Sequence, residues 1–351
     1  MRIDNLRKHQ ITESYIKGIG SNTANQELTE VFARFNKLSG NTQHDTAIIQ
    51  KWTGLMEAEG EDFDVFGHMQ TDNLIDAGED SIDTDTDCVL TIDPPNKKLE
   101  IAVNAQSLSL PAGYTCPFAN VCKSMASRHG KPFKDGKKIK DMGDVRCYAA
   151  GEEARFKNVR AKRWTNYDLL RGLGDDVKAI TDLILRSIKF YEQEREKINT
   201  LRIHESGDFY SQAYFDGWLE AAKQRPQILF YAYTKSIEYV GNRSDDMPKN
   251  FRITGSVGGM QDDMIKLFGL RSATIVNDPE EAAAKRLPVD VNDTMAAYGD
   301  QDFGLLLHGT QSKESGNTSQ AQKNSKLVKG VNKSRKVDFD WMNTQRKKYV
   351  D

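Results

Sequence analysis

Residues 201–234 read LRIHESGDFYSQAYFDGWLEAAKQRPQILFYAYT, and this stretch decides the fold class. Its two ends, 201–205 and 229–234, are short runs rich in β-branched and aromatic residues, which is typical of buried strands. Between them the apolar side chains recur at the i, i+3/i+4 spacing of one helix face: Tyr214, Phe215, Trp218, Leu219 and Ala222. The order strand, helix, strand predicts two parallel strands joined by a right-handed crossover.

The same alternation continues on both sides of this unit. Further strand-like runs lie at 98–110, 251–256, 273–276 and 303–308, and residues 89–93 and 99–103 predict a hairpin that leads into the first strand. Val177, Ile180 and Ile184 predict a helix before 201, and Asp278 followed by Pro279 predicts a helix start. Six strands alternating with helices predict an α/β fold, either a partial (β/α)6 barrel or an open parallel sheet.

Length and composition exclude several classes of protein. The chain has 351 residues, 38% of them hydrophobic and 28% charged, with a formal net charge of -2, which indicates a globular protein. No apolar run approaches the ~20 residues of a membrane helix, and the N-terminus has no signal-peptide core. We therefore expect no membrane partner and a cytoplasmic location, in the host cell if the protein is phage-encoded.

Charge is segregated along the chain and suggests three parts. Residues 57–93 hold thirteen acidic residues and no Lys or Arg, whereas residues after 311 are rich in Lys, Ser, Asn and Gln. We expect a helical and acidic N-terminal appendage at 1–85, an α/β core at 86–312 with a cysteine loop, and a flexible basic tail at 313–351.

Three of the four cysteines lie between the first predicted strand and the first long helix. Five residues separate Cys116 from Cys122, and twenty-four separate Cys122 from Cys147. Three cysteines can hold a four-iron cluster and leave one iron open, whereas a structural zinc site closes with four ligands. Zinc with His129 as the fourth ligand and buried unliganded thiols are the alternatives, and we interpret Cys88 as an inert packing residue.

Several long strings resemble the phage gene product 88 family. They are LSLPAGYTCP at 108–117, RCYAA at 146–150, EARFKNVR at 153–160, IHESGDFYSQ at 203–212, FYAYTKS at 230–236 and LHGTQ at 307–311. The resemblance covers roughly residues 98–312. It implies a phage origin and no established activity.

A cysteine loop after the first strand of a six-stranded β/α array also resembles the partial barrel of radical S-adenosylmethionine enzymes. That resemblance implies that Cys116, Cys122 and Cys147 ligate a 4Fe-4S cluster, with S-adenosylmethionine on the open iron. Tyr148 then takes the place of the aromatic residue beside the last cysteine. The spacing of five and twenty-four residues differs from the superfamily's three and two.

Polar residues follow the predicted strands at the edge where parallel α/β sheets bind ligands. We interpret His204, Glu205, Asp208 and Lys235 as candidate catalytic residues, able to act as acid or base or to hold a divalent ion. Ser256, Gly258 and His308, with Tyr148, are candidate cofactor-binding residues. The structural alternatives are that Asp208 or Ser211 caps the helix from Gln212, that Lys235 is a solvated loop residue, that the glycines only form a turn, and that His308 is structural.

A basic helix follows the third cysteine. Residues 155–163 carry Arg155, Lys157, Arg160, Lys162 and Arg163, and we expect a basic outer stripe over an apolar inner face containing Phe156. Such a stripe, with the basic tail, could contact nucleic-acid phosphates, although a charged face is more often only solvated.

The sequence therefore favours a phage-type iron–sulfur protein, with a radical S-adenosylmethionine enzyme acting on a small molecule or nucleotide as its most specific form. One alternative is a non-catalytic nucleic-acid-binding protein stapled by zinc or by a cluster. The other is a divalent-metal-dependent hydrolase or nucleotide-modifying enzyme that uses His204, Glu205 and Asp208.

Overall fold

The computed structural model describes residues 89–93, 105–122, 124–126, 128, 132–133, 145–309, 311, 316–334 and 338–350. Several predictions lie outside these residues: the N-terminal appendage 1–85, Cys88, the half-hairpin 99–103 and the candidate zinc ligand His129.

Eight strands form the main sheet. The strands are β1 (Ile92–Asp93), β2 (Ala105–Leu108), β5 (Thr200–Ile203), β6 (Leu229–Thr234), β7 (Phe251–Ser256), β8 (Ser272–Val276), β9 (Val289–Asp290) and β10 (Phe303–Leu306), and their order across the sheet is β1-β2-β5-β6-β7-β8-β10-β9. β1 is antiparallel to β2, and every other pair is parallel. A separate antiparallel pair, β3 (Met125–Ala126) and β4 (Pro132–Phe133), lies in the loop after β2.

The helices follow the predicted alternation. They are α1 (Tyr148–Arg155), α2 (Lys157–Arg171), α3 (Val177–Glu194), α4 (Gln212–Gln224), α5 (Ile237–Gly241), α6 (Asp262–Leu267), α7 (Pro279–Ala284), α8 (Thr294–Tyr298), α9 (Thr318–Ser334) and α10 (Phe339–Arg346). The predicted starts of α4 and α7 are confirmed, because Ser211 accepts a hydrogen bond from the Tyr214 N–H and Asp278 accepts one from the Glu281 N–H.

The α/β fold class is confirmed, and the sheet is open rather than closed into a barrel. β1 lies at one edge and β9 at the other, and neither pairs with the opposite edge. The six predicted strands lie side by side in chain order. Right-handed crossovers between such neighbours place their helices on the same face of the sheet.

That face carries the largest hydrophobic core. Side chains of β5, β6 and β7 that point to it, such as Leu201, Phe230 and Phe251, pack against helices α3 and α4. Gly217 of α4 allows this close packing, because a Cβ atom at that position would lie 2.4 Å from Cγ2 of Ile180 in α3. We call this face of the sheet the helix face.

The opposite face, which we call the inner face, is covered by other elements. Tyr231 of β6 and Phe303 of β10 pack there with Ala297 of α8, Met342 of α10 and Tyr349 near the end of the chain. β9 and α8, which the sequence reading did not predict, belong to the connection between β8 and β10.

The basic tail, expected to be flexible from its composition, is helical and packed in the part that the structure describes. Val328 of α9 is buried against Val276 and Leu306, and Met342 of α10 is buried in the inner-face core. The side-chain amide of Asn324 donates hydrogen bonds to the carbonyl oxygens of Asn277 and Leu307, at 2.6 and 2.7 Å. The small and apolar residues that recur on one face of α9 supply this packing, which the overall composition of the tail did not reveal.

A candidate three-cysteine site at the carboxyl edge of the sheet

Cys116, Cys122 and Cys147 are free and partly buried, and they lie on two neighbouring segments. Cys116 and Cys122 belong to the loop that follows β2, whereas Cys147 is the residue that precedes the first turn of α1. A tight turn directs the loop after β2, because the Thr115 N–H and hydroxyl both donate to the carbonyl oxygen of Pro111.

The loop between Cys116 and Cys122 is fixed to the loop after β7. The N–H groups of Asn120 and Val121 both donate to the carbonyl oxygen of Gly258, at 3.3 and 3.1 Å, and the Met260 N–H donates to Phe118. Gly258 has φ +102°, and a Cβ atom there would lie 2.4 Å from Val121 Cγ2. Glycine is therefore required at 258 both by the backbone conformation and by the contact.

The electrostatics indicate that the three thiols lie near one another. Burial raises the pKa of Cys116 well above its usual value, and the charges of Asp208, Cys147 and Cys122 raise it further. Burial raises the pKa of Cys147 to about 11, and the charge of Cys122 adds to the shift. A thiolate at Cys116 or Cys147 is therefore disfavoured while a neighbouring thiol carries negative charge.

Backbone donors act in the opposite direction. The Gly113 N–H lies 3.4 Å from Cys116 Sγ and lowers the pKa of that thiol, and the N–H groups of Ala149 and Ala150 lower that of Cys147. Hydrogen bonds of this kind, at the start of a helix, stabilise a sulfur that carries negative charge.

Glu153 of α1, which was not predicted as a site residue, connects three of the segments that surround the cysteines. Its Oε1 accepts hydrogen bonds from the Ala112 N–H at 2.9 Å, from Arg163 Nη1 at 3.0 Å and from Ser206 Oγ at 3.1 Å. These partners belong to the loop after β2, helix α2 and the loop after β5. Burial raises the pKa of Glu153, while the charge of Arg163 opposes that shift. In the sequence, the two adjacent glutamates at 152 and 153, close to Cys147, are the only signal that could have identified Glu153.

The donor chemistry of the site fits a soft metal centre, since thiolates are the ligands of zinc and of iron–sulfur clusters. Among the described residues, no group of three or more His, Cys, Asp and Glu side chains is arranged to hold a single metal ion. The thiolates of a four-iron cluster each bind a different iron, so they stand farther apart than the ligands of one ion.

His204 lies away from the rim, in the core on the helix face. It is 3% exposed and has φ +68°, which turns the chain at the end of β5. Its Nε2 lies 3.0 Å from the hydroxyl of Tyr214, and its ring packs edge-on against Phe209. Burial, helped by the charge of Arg202, lowers the pKa of His204 to about 3. This placement favours a neutral structural histidine over a general base.

Asp208 and Glu205 bind different partners from His204. The carboxylate of Asp208 accepts hydrogen bonds from Thr234 Oγ1 at 2.5 Å and from the Lys235 N–H at 2.8 Å, and burial raises its pKa to about 6. Ser211, rather than Asp208, caps α4. Glu205 Oε2 accepts a long hydrogen bond of 3.4 Å from Ser107 Oγ. The three residues proposed for a divalent-metal hydrolase therefore do not form one cluster.

Lys235 and Ser256 meet beside the cysteine loop. Lys235 Nζ donates to Ser256 Oγ at 2.5 Å, and a Cβ atom added to Gly259 would touch both the Lys235 side chain and the carbonyl oxygen of Phe118. Lys235 is buried, so it is not a solvated loop lysine.

Tyr148 and His308 meet on the other side of the rim. Their rings stack with centroids 5.5 Å apart, and the Tyr148 hydroxyl donates to the carbonyl oxygen of Glu205. Nδ1 of His308 lies 2.9 Å from the carbonyl oxygen of Leu306. Tyr148 directly follows Cys147, so this stack adjoins the third thiol.

A buried polar cluster on the inner face was also not predicted. Arg202 Nη1 donates to Asp293 Oδ2 at 2.6 Å, and the hydroxyls of Tyr231 and Tyr233 each donate to the same carboxylate at 3.1 Å. Asp293 has φ +63°. Burial raises the pKa of Tyr148, and the charge of Arg202 opposes that shift, so this cluster reaches the tyrosine beside the third cysteine.

The basic stripe expected on 155–163 is present only in part: Arg155 and Lys157 are exposed, but two of its arginines are not. Arg160 and Arg163 are buried, and their guanidinium groups donate to the carbonyl oxygens of Glu153 and Ala149. Phe156, expected on the apolar side of this helical segment, is 49% exposed. Because both arginines are buried and hydrogen-bonded between α1 and α2, they are not available to nucleic-acid phosphates.

No helix within the described ranges is both long enough and apolar enough to span a membrane.

Fold and site together define the class: an open, mostly parallel α/β protein with three free cysteines at the carboxyl edge of its sheet. Comparison with known proteins then gives the family. The chain belongs to the Gene product 88 family, whose model matches residues 84–330. This confirms the resemblance found in the sequence and extends it into α9.

Two relatives come from mycobacteriophages. The Gene 88 protein of Mycobacterium phage L5 is 28% identical over 136 residues, which is 37% of this chain and 48% of that protein. The Gene 88 protein of Mycobacterium phage D29 is 26% identical over the same length and the same shares. The chain thus spans about half the length of these curated relatives. No solved structure matches it. Neither the family nor these relatives support the resemblance to radical S-adenosylmethionine enzymes.

Proposed function

We propose that this phage-family protein is an iron–sulfur protein in which Cys116, Cys122 and Cys147 ligate a 4Fe-4S cluster. The observation that supports the proposal is the placement of three free, partly buried thiols on two neighbouring segments, where the charge of Cys122 helps to raise the pKa of Cys116 and of Cys147. Three neighbouring thiolates repel one another and need a compensating cation. A cluster supplies that positive charge and uses three cysteines while one iron stays open.

The N–H groups that point at the sulfurs support the same proposal. Hydrogen bonds to cluster sulfurs are one of the means by which proteins set the reduction potential. Gly113 donates to Cys116, and Ala149 and Ala150 donate to Cys147, so two of the three sulfurs receive such bonds from the backbone. Zinc is the competing metal; it needs the three thiols to converge on one ion, and no such group is arranged among the described residues.

We further propose that a small molecule or nucleotide binds on the rim next to the cluster. Lys235 and Ser256 supply donors for an anionic group on one side, and the stacked rings of Tyr148 and His308 supply an aromatic wall on the other. An open sheet with consecutive strands and a cysteine loop after its first parallel strand favours S-adenosylmethionine as the ligand of the open iron. When bound, that ligand would supply radical chemistry, and the rim residues would orient it.

The first experiment is to purify the protein without oxygen and count its metals. We expect about four irons and four sulfides per chain, with no zinc. Cys116→Ala, Cys122→Ala and Cys147→Ala should each lose most of the iron, while Cys88→Ala serves as the control and should retain it. Full metal content in any of the three variants would refute the assignment, and zinc in place of iron would favour the stapled, non-catalytic alternative.

The second experiment tests the ligand. Adding S-adenosylmethionine to the reduced protein should alter the electron paramagnetic resonance spectrum of the cluster. Lys235→Ala should weaken that effect without changing the iron content, because Lys235 does not bind the metal. An unchanged spectrum together with no 5′-deoxyadenosine would remove the radical mechanism and leave the iron–sulfur assignment in place.

A further inference from the structure

Helix α9 presents a basic strip to solvent. Lys323, Lys326 and Lys329 are exposed and repeat every three residues, so they form a slanting row on the side of the helix turned away from the buried Ala321 and Val328. Leu327, beside the strip, is 44% exposed. We call this surface the lysine face.

The lysine face lacks a partner within the described part of the chain, where none of its three lysines makes an ion pair or hydrogen bond. Like charges one turn apart on a helix destabilise it by a few tenths of a kcal/mol per pair. The helix cannot rotate to separate or bury them, because Asn324 is bonded to the carbonyl oxygens of Asn277 and Leu307.

The chain itself contains a segment of complementary chemistry. Residues 57–87 hold twelve acidic residues and no Lys or Arg, and the net charge of the whole chain is only -2, so the rest of the chain is positive. Within this segment Phe63, Val65 and Phe66 alternate with or follow Asp62 and Asp64. A stretch that offers both carboxylates and apolar side chains matches a helix face that offers lysines beside an exposed leucine.

The tether is long enough for the contact. Described structure begins at Val89, and the Leu90 N–H donates to Ser187 Oγ, which fixes this point near β1 at one side of the sheet. α9 packs on β8 and β10, towards the other side. Seven strands at about 4.8 Å spacing are roughly 30 Å wide, whereas thirty residues can extend to about 100 Å. A tethered segment also acts at an effective concentration near the millimolar range.

We propose that the acidic segment 57–87 docks on the lysine face of α9 in the same molecule. This contact neutralises the basic strip and covers Leu327. It also occupies the surface that would otherwise attract nucleic-acid phosphates, so the segment acts as a built-in competitor for polyanions.

Zero-length carbodiimide crosslinking of the full chain tests the contact, because it joins only carboxylates and amines that touch. We expect crosslinks from residues 57–87 to Lys323, Lys326 or Lys329, lost in 1 M salt, where the screening length falls to about 3 Å. The triple variant K323E/K326E/K329E removes the reactive amines together with their charge, so these crosslinks should be absent from it. Replacing Glu61, Asp62 and Asp64 by lysine in that variant exchanges the charges of the two surfaces, and crosslinks between the two segments should return with amine and carboxylate reversed.

The matched control is K189E/K197E/K249E, which changes the same number of exposed lysines elsewhere and should leave the crosslinks unchanged. A mixture of isotopically heavy and light protein separates contacts within one molecule from contacts between molecules. Mixed-mass crosslinks would show that a second copy is the occupant and overturn the proposal. So would the absence of crosslinks to α9. If the wild type then bound single-stranded DNA and the K323E/K326E/K329E variant did not, the lysine face would be a nucleic-acid surface.

Discussion

The position of His204 yields the sharpest test of how the rim is built. In the folded protein, burial lowers the pKa of His204 to about 3, against 6.5 for an unperturbed histidine. Protonation therefore occurs first in the unfolded chain. As pH falls from 6.5 towards 3, His204 binds a proton in the unfolded chain but not in the folded protein. The folded state therefore becomes progressively less stable relative to the unfolded state.

The magnitude follows from the pH range. Between pH 6.5 and 4.5 the unfolded histidine is protonated over about two pH units and the folded one is not, which is worth about 2–3 kcal/mol. Asp208 and Asp290 oppose this trend, since burial raises the pKa of each to about 6 and their protonation stabilises the folded state as pH falls. The total stability of the wild type therefore conceals the contribution of His204.

A variant with no titratable side chain at position 204 isolates the contribution of His204. Asn tolerates the positive φ of position 204 and does not titrate. His204→Asn should be less stable than the wild type at pH 7, by about 1–2 kcal/mol for the lost packing. Because only the wild type loses stability through histidine protonation, this difference should shrink or reverse, by about 2–3 kcal/mol, at pH 4.5. Both proteins keep the two aspartates, so the effect of the aspartates cancels.

The assay is urea unfolding of the metal-free proteins at pH 7 and pH 4.5, followed by circular dichroism. A difference in unfolding free energy that is the same at both pH values would refute the reasoning. His204 would then titrate as a solvated group, which is the behaviour expected of a catalytic base at the rim.

Three further outcomes are expected from the same structure. Glu153→Gln should destabilise the protein by about 2–3 kcal/mol in urea unfolding and lower its metal content, because the charge of Arg163 loses its buried partner. A change in stability of less than about 0.5 kcal/mol, which is typical of surface substitutions, would contradict this. Gly258→Ala should lose metal through its clash with the cysteine loop, whereas Gly174→Ala, also at positive φ but with no atom within 4 Å, should not; equal effects would show that the contact is irrelevant. Removing residues from 317 onward should expose the apolar surfaces under α9 and α10 and cause aggregation, and a soluble, cooperatively folding remainder would show that the tail is dispensable.

Much of the sheet could be predicted from the sequence. β6 and β7 have the bounds expected from their runs of aromatic and β-branched residues, and the starts of α4 and α7 follow from Ser211 and Asp278. β9 and α8 were not predicted, because two strand residues and five helical residues are too few to show a period. The choice between barrel and open sheet depends on contacts between distant strands, which local pattern does not encode.

The site was predictable in its parts and not in its orientations. The cysteines and the residues after each strand were identified by position, and the structure brings the thiols, Tyr148, His308, Lys235 and Ser256 to one edge. His204 was expected there as well, but its positive φ returns the side chain to the helix face. Arg160 and Arg163 read as surface charges because the sequence does not reveal that a neighbouring helix offers buried carbonyl and carboxylate acceptors.

The two faces of the sheet are completed at different times during synthesis. α3 and α4 precede or adjoin β6 in the chain, so the helix face can be covered as soon as β7 has emerged from the ribosome. The inner face of β6 waits for Met342 and Tyr349, which are made much later. At about 5–20 residues per second, the roughly ninety residues from the end of β7 to Tyr349 leave apolar side chains on the inner face of β6 without this cover for roughly 5–20 s. A nascent chain stalled in this interval has a formed first layer and an uncovered second one, and that is the state in which we expect a chaperone to bind it.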